Sequence, residues 1–165
     1  MATTSYAIAV GSNRCGRHGA PAVEVRAALA LLGGHAAPVM TSAPVGPSLR
    51  RYANTVAILD SDLTPPEMLA WLKRIERSFG RRRGRRWGAR VIDLDIILWS
   101  GGAWSGRDLT IPHPHFRERD FVLTPLAAIA PDWRDPVSGL TVRQLRARLT
   151  VRRPAPSRAI RGWGP

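Results

Sequence analysis

The alternation of apolar and polar positions divides the chain into short strands and amphipathic helices. Ser5–Val10 reads as a first strand, followed by G-S-N and a polar, Gly-containing loop to about Pro21. Val25, Ala28, Leu29 and Leu32 then recur at helical spacing, which predicts a helix over Ala22–Leu32 with Gly33-Gly34 as its stop. Val39–Ser42 is a short strand and Tyr52–Leu59 a longer one, closed by D-S-D. Thr64-Pro65-Pro66-Glu67 has the make-up of a helix start: Thr as N-cap, Pro at the first helical position, Glu three residues after the cap. Met68, Leu69, Leu72, Ile75 and Phe79 form that helix's apolar stripe, and Gly80 ends it.

Val91–Trp99 is the next strand, and the Gly-rich stretch after it reads as a hairpin turn leading to a short strand at Leu109–Ile111. A Pro/His/Arg segment follows. Phe121–Ile129 is helical with Pro125 expected near its start, and Thr141–Leu149 is a last helix with Thr141 and Gln144 as a second capping box. The order β-α-β-β-α-β predicts an α+β fold. We expect a single-domain ferredoxin-like antiparallel sheet with helices packed on it, additional strands and a C-terminal helix. The domain is expected to span residues 1–150, with 151–165 as a basic, disordered tail of three Pro, four Arg and two Gly.

Length and composition narrow this picture. The 165 residues suit one core-bearing domain. The sequence holds no 18-residue apolar run, and its first residues lack a basic n-region, so no membrane span or signal peptide is expected and the chain reads as cytoplasmic. Cys15 is the only cysteine, which rules out an internal disulfide. The net charge of +13 raises a nucleic-acid reading. All basic residues but Lys73 are arginine, however, in a chain also rich in Ala, Gly and Pro. That points to compositional bias, and no nucleic-acid-binding motif accompanies it.

Arg81–Asp95, R-R-R-G-R-R-W-G-A-R-V-I-D-L-D, changes the picture most. Asp93 and Asp95 lie two apart in an apolar strand, so they share a face at a separation of roughly 6.5–7 Å along the chain. Two acids so placed are costly unless compensated. Divalent cations bridging them to phosphate oxygens would compensate them, and the arginines upstream would supply donors to a polyphosphate. The segment therefore reads as a nucleotide-plus-magnesium site. The bland alternative is a surface salt-bridge patch on an ordinary strand.

The run R-W-G-A-R-V-I-D-L-D-I-I-L resembles the signature of the 6-hydroxymethyl-7,8-dihydropterin pyrophosphokinase family of folate biosynthesis. Further matches occur in order: A-V-G-S-N at 9–13, A-P-V-G-P at 43–47, Y-A-N at 52–54, R-I-E at 74–76 with G-R at 80–81, I-P-H-P at 111–114 and R-D-F-V-L-T-P-L at 119–126. The resemblance covers about residues 5–149. It implies transfer of pyrophosphate from ATP to the pterin hydroxymethyl group, with release of AMP.

Carried over position by position, the resemblance makes Asp93 and Asp95 the holders of two Mg²⁺ ions. Arg81 and Arg90 match arginines that act on the triphosphate during transfer, and Arg83 and Arg86 match further nucleotide-side loop arginines. Tyr52 and Phe121 match the aromatics that sandwich the pterin. Asn54 matches the reader of its edge, assisted by Ser42 and the backbone at Val45, and Trp87 matches a tryptophan that helps close the site. Glu76, His113 and Arg119 match residues on the ATP side. Three departures stand out: W-G-A-R for the usual W-G-P-R, Asp108 where an arginine is frequent, and Pro114 where an aromatic is common. The implied partners are small molecules, with no nucleic acid or membrane, and the implied state is a monomer. A basic nucleic-acid module on the same fold and a non-catalytic relative are the rival readings. The paired aspartates oppose the first, and their retention beside Arg81 and Arg90 opposes the second.

Overall fold

The computed structural model describes residues 2–42, 51–80 and 91–152. Strand β1 (Thr4–Ser12) lies in the sheet interior, paired antiparallel with β4 (Tyr52–Ser61) on one side and β5 (Asp93–Trp99) on the other. The short strands β2 (His35–Ala36) and β3 (Met40–Ser42) both pair antiparallel with the far edge of β4. The order β2-β4-β1-β5 is that of a ferredoxin-like sheet, as expected. A separate two-stranded ribbon joins β6 (Trp104–Ser105) to β7 (Thr110–Ile111).

Strand alternation gives the sheet two apolar faces. Tyr6, Ile8, Val10, Leu94 and Ile96 point to one, covered by α1 (Pro21–Leu32) and α2 (Pro65–Ser78) through Val25, Ala28, Met68, Leu72 and Ile75. Ala7, Val56 and Ile97 point to the other, covered by a 3₁₀ turn at Phe116–Glu118, α3 (Asp120–Ile129) and α4 (Val142–Arg152) through Phe116, Val122, Leu126 and Leu145. A register shift opposite Ala7 and Ile8 lets the consecutive Ile97 and Leu98 both enter this second core.

Several expectations meet a different outcome. β1 runs to Ser12, so the chain does not leave the sheet at Gly11. β5 begins at Asp93 rather than Val91. Pro125 is the sixth residue of α3, not one of its first. It deprives the Phe121 carbonyl of its N–H partner, and the first turn tolerates this because Phe121 lies half exposed, where water can reach. The start of α2 is as anticipated: the Thr64 N–H donates to Glu67 Oε2 at 2.8 Å.

Two buried carboxylates organise the loops. Glu24 on α1 accepts the backbone N–H of His18 at 2.6 Å, that of Gly19 at 3.0 Å and contacts His18 Nδ1 at 2.8 Å, folding the first loop onto the domain. Asp135 receives Arg117 bidentately, Nε and Nη2 each at 2.7 Å, with Ser138 Oγ at 2.5 Å. This ties the 3₁₀ turn to the loop between α3 and α4. Among the described residues no helix is long and apolar enough to cross a membrane. The remaining tail, 153–165, lies outside the described residues.

Candidate active site

α3 and α4 cover only part of the second face, and the uncovered end is a cleft of about 490 Å³. Its floor follows from sheet register. Asn54, Gly11 and Asp93 lie side by side on β4, β1 and β5, and the next row down that face brings Asp95 beside Ala9. The two floor residues of β1 are thus the smallest available, flanked by an amide on one side and two carboxylates on the other. Tyr52 enters from the start of β4, and Arg119 and Phe121 enter from the junction of the 3₁₀ turn and α3. Tyr52 is 42% exposed and Phe121 46% exposed, so neither ring is core packing. The Arg119 guanidinium lies 5.8 Å from the Phe121 ring centroid, which sets a cation at the aromatic rim.

Electrostatics separate the two ends of the cleft. Burial, and then the neighbouring charge of Asp93, push the Asp95 carboxyl above its ordinary value. His113 Nε2 lies 3.9 Å from Asp95 Oδ2. Burial, followed by the charges of Arg119 and His115, lowers the His113 imidazole to about 4, so at neutral pH this contact joins a carboxylate to an uncharged ring and is not an ion pair. The backbone N–H of His115 donates to His113 Nδ1 at 3.1 Å, which leaves Nε2 as the protonated nitrogen toward Asp95. Among the described residues no three His, Cys, Asp or Glu side chains gather around one point. Two carboxylates on one strand face are nonetheless a fitting donor set for Mg²⁺, which takes few protein ligands and completes its shell with phosphate and water.

The cleft brings together six of the anticipated residues: Tyr52, Asn54, Asp93, Asp95, Arg119 and Phe121. Ser42 is exposed on β3, directly opposite Tyr52 in the register. Glu76 lies apart from these, buried under the sheet edge, where it accepts the Leu94 N–H at 2.9 Å and Lys73 Nζ at 3.1 and 3.0 Å. It thus fixes the segment between the two aspartates. Val45, Arg81, Arg83, Arg86, Trp87 and Arg90 lie outside the described residues. Sequence reasoning missed Ala9, Gly11, Ser12 and Asn13 as cleft lining. The sequence pattern ends the strand at Val10, which hides Gly11 as a glycine inside a strand and with it the close approach that such a glycine marks.

Residues 7–131 match the family model described as 7,8-dihydro-6-hydroxymethylpterin-pyrophosphokinase. A Synechocystis 2-amino-4-hydroxy-6-hydroxymethyldihydropteridine pyrophosphokinase is 49% identical over 100 residues, covering 61% of this chain and 51% of that protein. The Bacillus subtilis protein of the same name is 38% identical over 130 residues, covering 74% of this chain and 75% of its own length. The chain therefore spans about half the length of the first of these relatives. A crystal structure of Plasmodium falciparum HPPK-DHPS with pteroate shares the fold, with a TM-score of 0.69 at 13% identity over 92% of this chain and 45% of that one. The family match spans most of the cleft-forming elements, from β1 through α3, and the chain belongs to the 7,8-dihydro-6-hydroxymethylpterin-pyrophosphokinase family.

Proposed function

We propose that the protein transfers pyrophosphate from ATP to the hydroxymethyl group of 6-hydroxymethyl-7,8-dihydropterin and releases AMP. The observation that carries this reading is one cleft with both a stacking end and an acidic end. Tyr52 and Phe121 hold the flat ring between them, and the Asn54 amide reads its edge. The hydroxymethyl arm then points along the floor toward Asp93 and Asp95. These two carboxylates would hold two Mg²⁺ ions, which when bound neutralise phosphate charge and acidify the attacking hydroxyl. Arg119 and His113 stand on the ATP side, with Glu76 supporting it from beneath the edge strand.

The remaining roles fall on the arginine segment. Arg81 and Arg90 meet the charge that builds on the transferring group, and Arg83 and Arg86 bind the triphosphate. Trp87, Ser42 and the Val45 backbone complete the pterin side. The protein's own contribution is positioning and charge complementarity rather than covalent chemistry. The same reading has the protein acting as a monomer on small molecules. An enzyme drawing on ATP would work in the cytoplasm, and residues 1–150 would suffice without the tail. Incubation with ATP, Mg²⁺ and the hydroxymethyl dihydropterin tests the proposal. AMP and a pyrophosphorylated pterin should appear in equal amounts, and chelation should stop both. ADP as the product, or turnover unaffected by chelation, would refute it.

A further inference from the structure

We propose that Gly11 is a specificity-determining residue of the cleft, holding open the floor so that the Asn54 amide keeps its ligand-facing position. The inference rests on the pterin reading above and goes beyond it by assigning the β1 floor. Glycine in the middle of a strand costs stability, roughly 0.5–1 kcal/mol relative to alanine, and needs a reason. Backbone conformation is not the reason, since Gly11 is absent from the glycines with positive φ. Space is. A Cβ built at Gly11 would sit 2.9 Å from Asn54 Oδ1, and the next nearest atom, the Ala53 carbonyl oxygen, is 4.0 Å away.

The position of that contact decides what a methyl group would do. The obstructed atom is the tip of a side chain, not backbone, so the strand accommodates alanine and the amide moves. Gly11 pairs with Asn54 on one side and with Asp93 on the other. Two inter-strand spacings separate Asn54 from Asp93, roughly 10 Å. A flat bicyclic ring with a one-carbon arm can bridge that distance when the Asn54 amide faces its edge. A side chain at 11 would therefore turn the amide away from the ring edge, while leaving the nucleotide end untouched.

The test compares Gly11→Ala, Asn54→Ala and the double variant with the unaltered protein, measuring KM for the hydroxymethyl dihydropterin and for ATP. Gly11→Ala should raise the pterin KM about tenfold or more, the loss of one good hydrogen bond, with ATP KM within about twofold. Its melting temperature should not fall. In the Asn54→Ala background the methyl has room, so the double variant should match Asn54→Ala. That comparison decides the matter even if the single variant folds poorly. An unchanged pterin KM in Gly11→Ala, equal losses for both substrates, or a double variant markedly weaker than Asn54→Ala would overturn the inference. Failure of the unaltered protein to use the pterin at all would instead overturn the proposed function.

Discussion

Asp95, partly buried and beside a second carboxylate, has its carboxyl pushed above the ordinary value. If Mg²⁺ is what compensates it, Asp95→Asn should lower transfer by roughly 100-fold or more, since a bound metal supplies several kcal/mol of charge stabilisation. The same substitution should leave the metal-free protein as stable or more stable at neutral pH, because a raised acid opposes folding once ionised. That gain should shrink as pH falls and the wild-type carboxyl protonates. Thermal melts with and without Mg²⁺ check this, and a metal-free Asp95→Asn protein that melts well below the wild type would mean the residue is structural. Tyr52 and Phe121 lend themselves to the opposite test. Because both rings are nearly half exposed, alanine there should cost little stability yet weaken pterin binding by roughly 1–3 kcal/mol, with ATP-analogue binding unchanged by calorimetry. At this scale the paired acids stand out from the chain alone, as two carboxylates on one face of an apolar strand, whereas Tyr52, Phe121 and Arg119 enter only through the family resemblance. The floor was not legible. Gly11 and Ala9 act through what they lack, and only the register shows what stands beside them.

At the scale of elements, the 3₁₀ turn at Phe116–Glu118 carries His113 just before it and Arg119 just after it, and its anchor is the Arg117–Asp135 pair. Burial pushes the Asp135 carboxyl up, but the hydrogen bonds from Arg117, Ser138 and the Val137 N–H outweigh it and hold the group below its ordinary value. A depressed acid contributes stability that is complete above the unfolded value, about 3.9, and is lost as pH falls through the folded one. Asp135→Asn should therefore destabilise the domain by about 3 kcal/mol at neutral pH, and the gap to the wild type should close in strong acid. Denaturant titrations across pH would show whether it does. A gap that persists unchanged at low pH would mean packing, not charge, holds the turn. The long elements were readable because α2 and the main strands have clean periodicity and caps. The short ones were not: β2 has two residues, too few for any period, and the packing of α3 on the sheet overrides the local objection of Pro125.

At the scale of the whole molecule the question is whether the net charge of +13 acts as a general field or through particular arginines. A field raises the local concentration of ATP, and salt weakens it over a Debye length of about 8 Å at physiological strength. Loss of any one of Arg81, Arg82, Arg85 or Arg90 would then raise the ATP KM slightly and alike, with kcat unchanged. Specific roles give another pattern. If Arg81 and Arg90 meet charge that develops only in the transition state, alanine at either should lower kcat by roughly 100- to 1,000-fold with little change in ATP KM. The family resemblance assigns Arg82 and Arg85 no role, so alanine at either should stay within about twofold of the wild type at moderate salt, a change of a few tenths of a kcal/mol. Steady-state kinetics of the four variants at two ionic strengths would separate the cases, since raising salt imitates loss of field but cannot imitate loss of a transition-state contact. Four variants with equal, salt-suppressible KM defects would leave a basic patch and no assigned arginine.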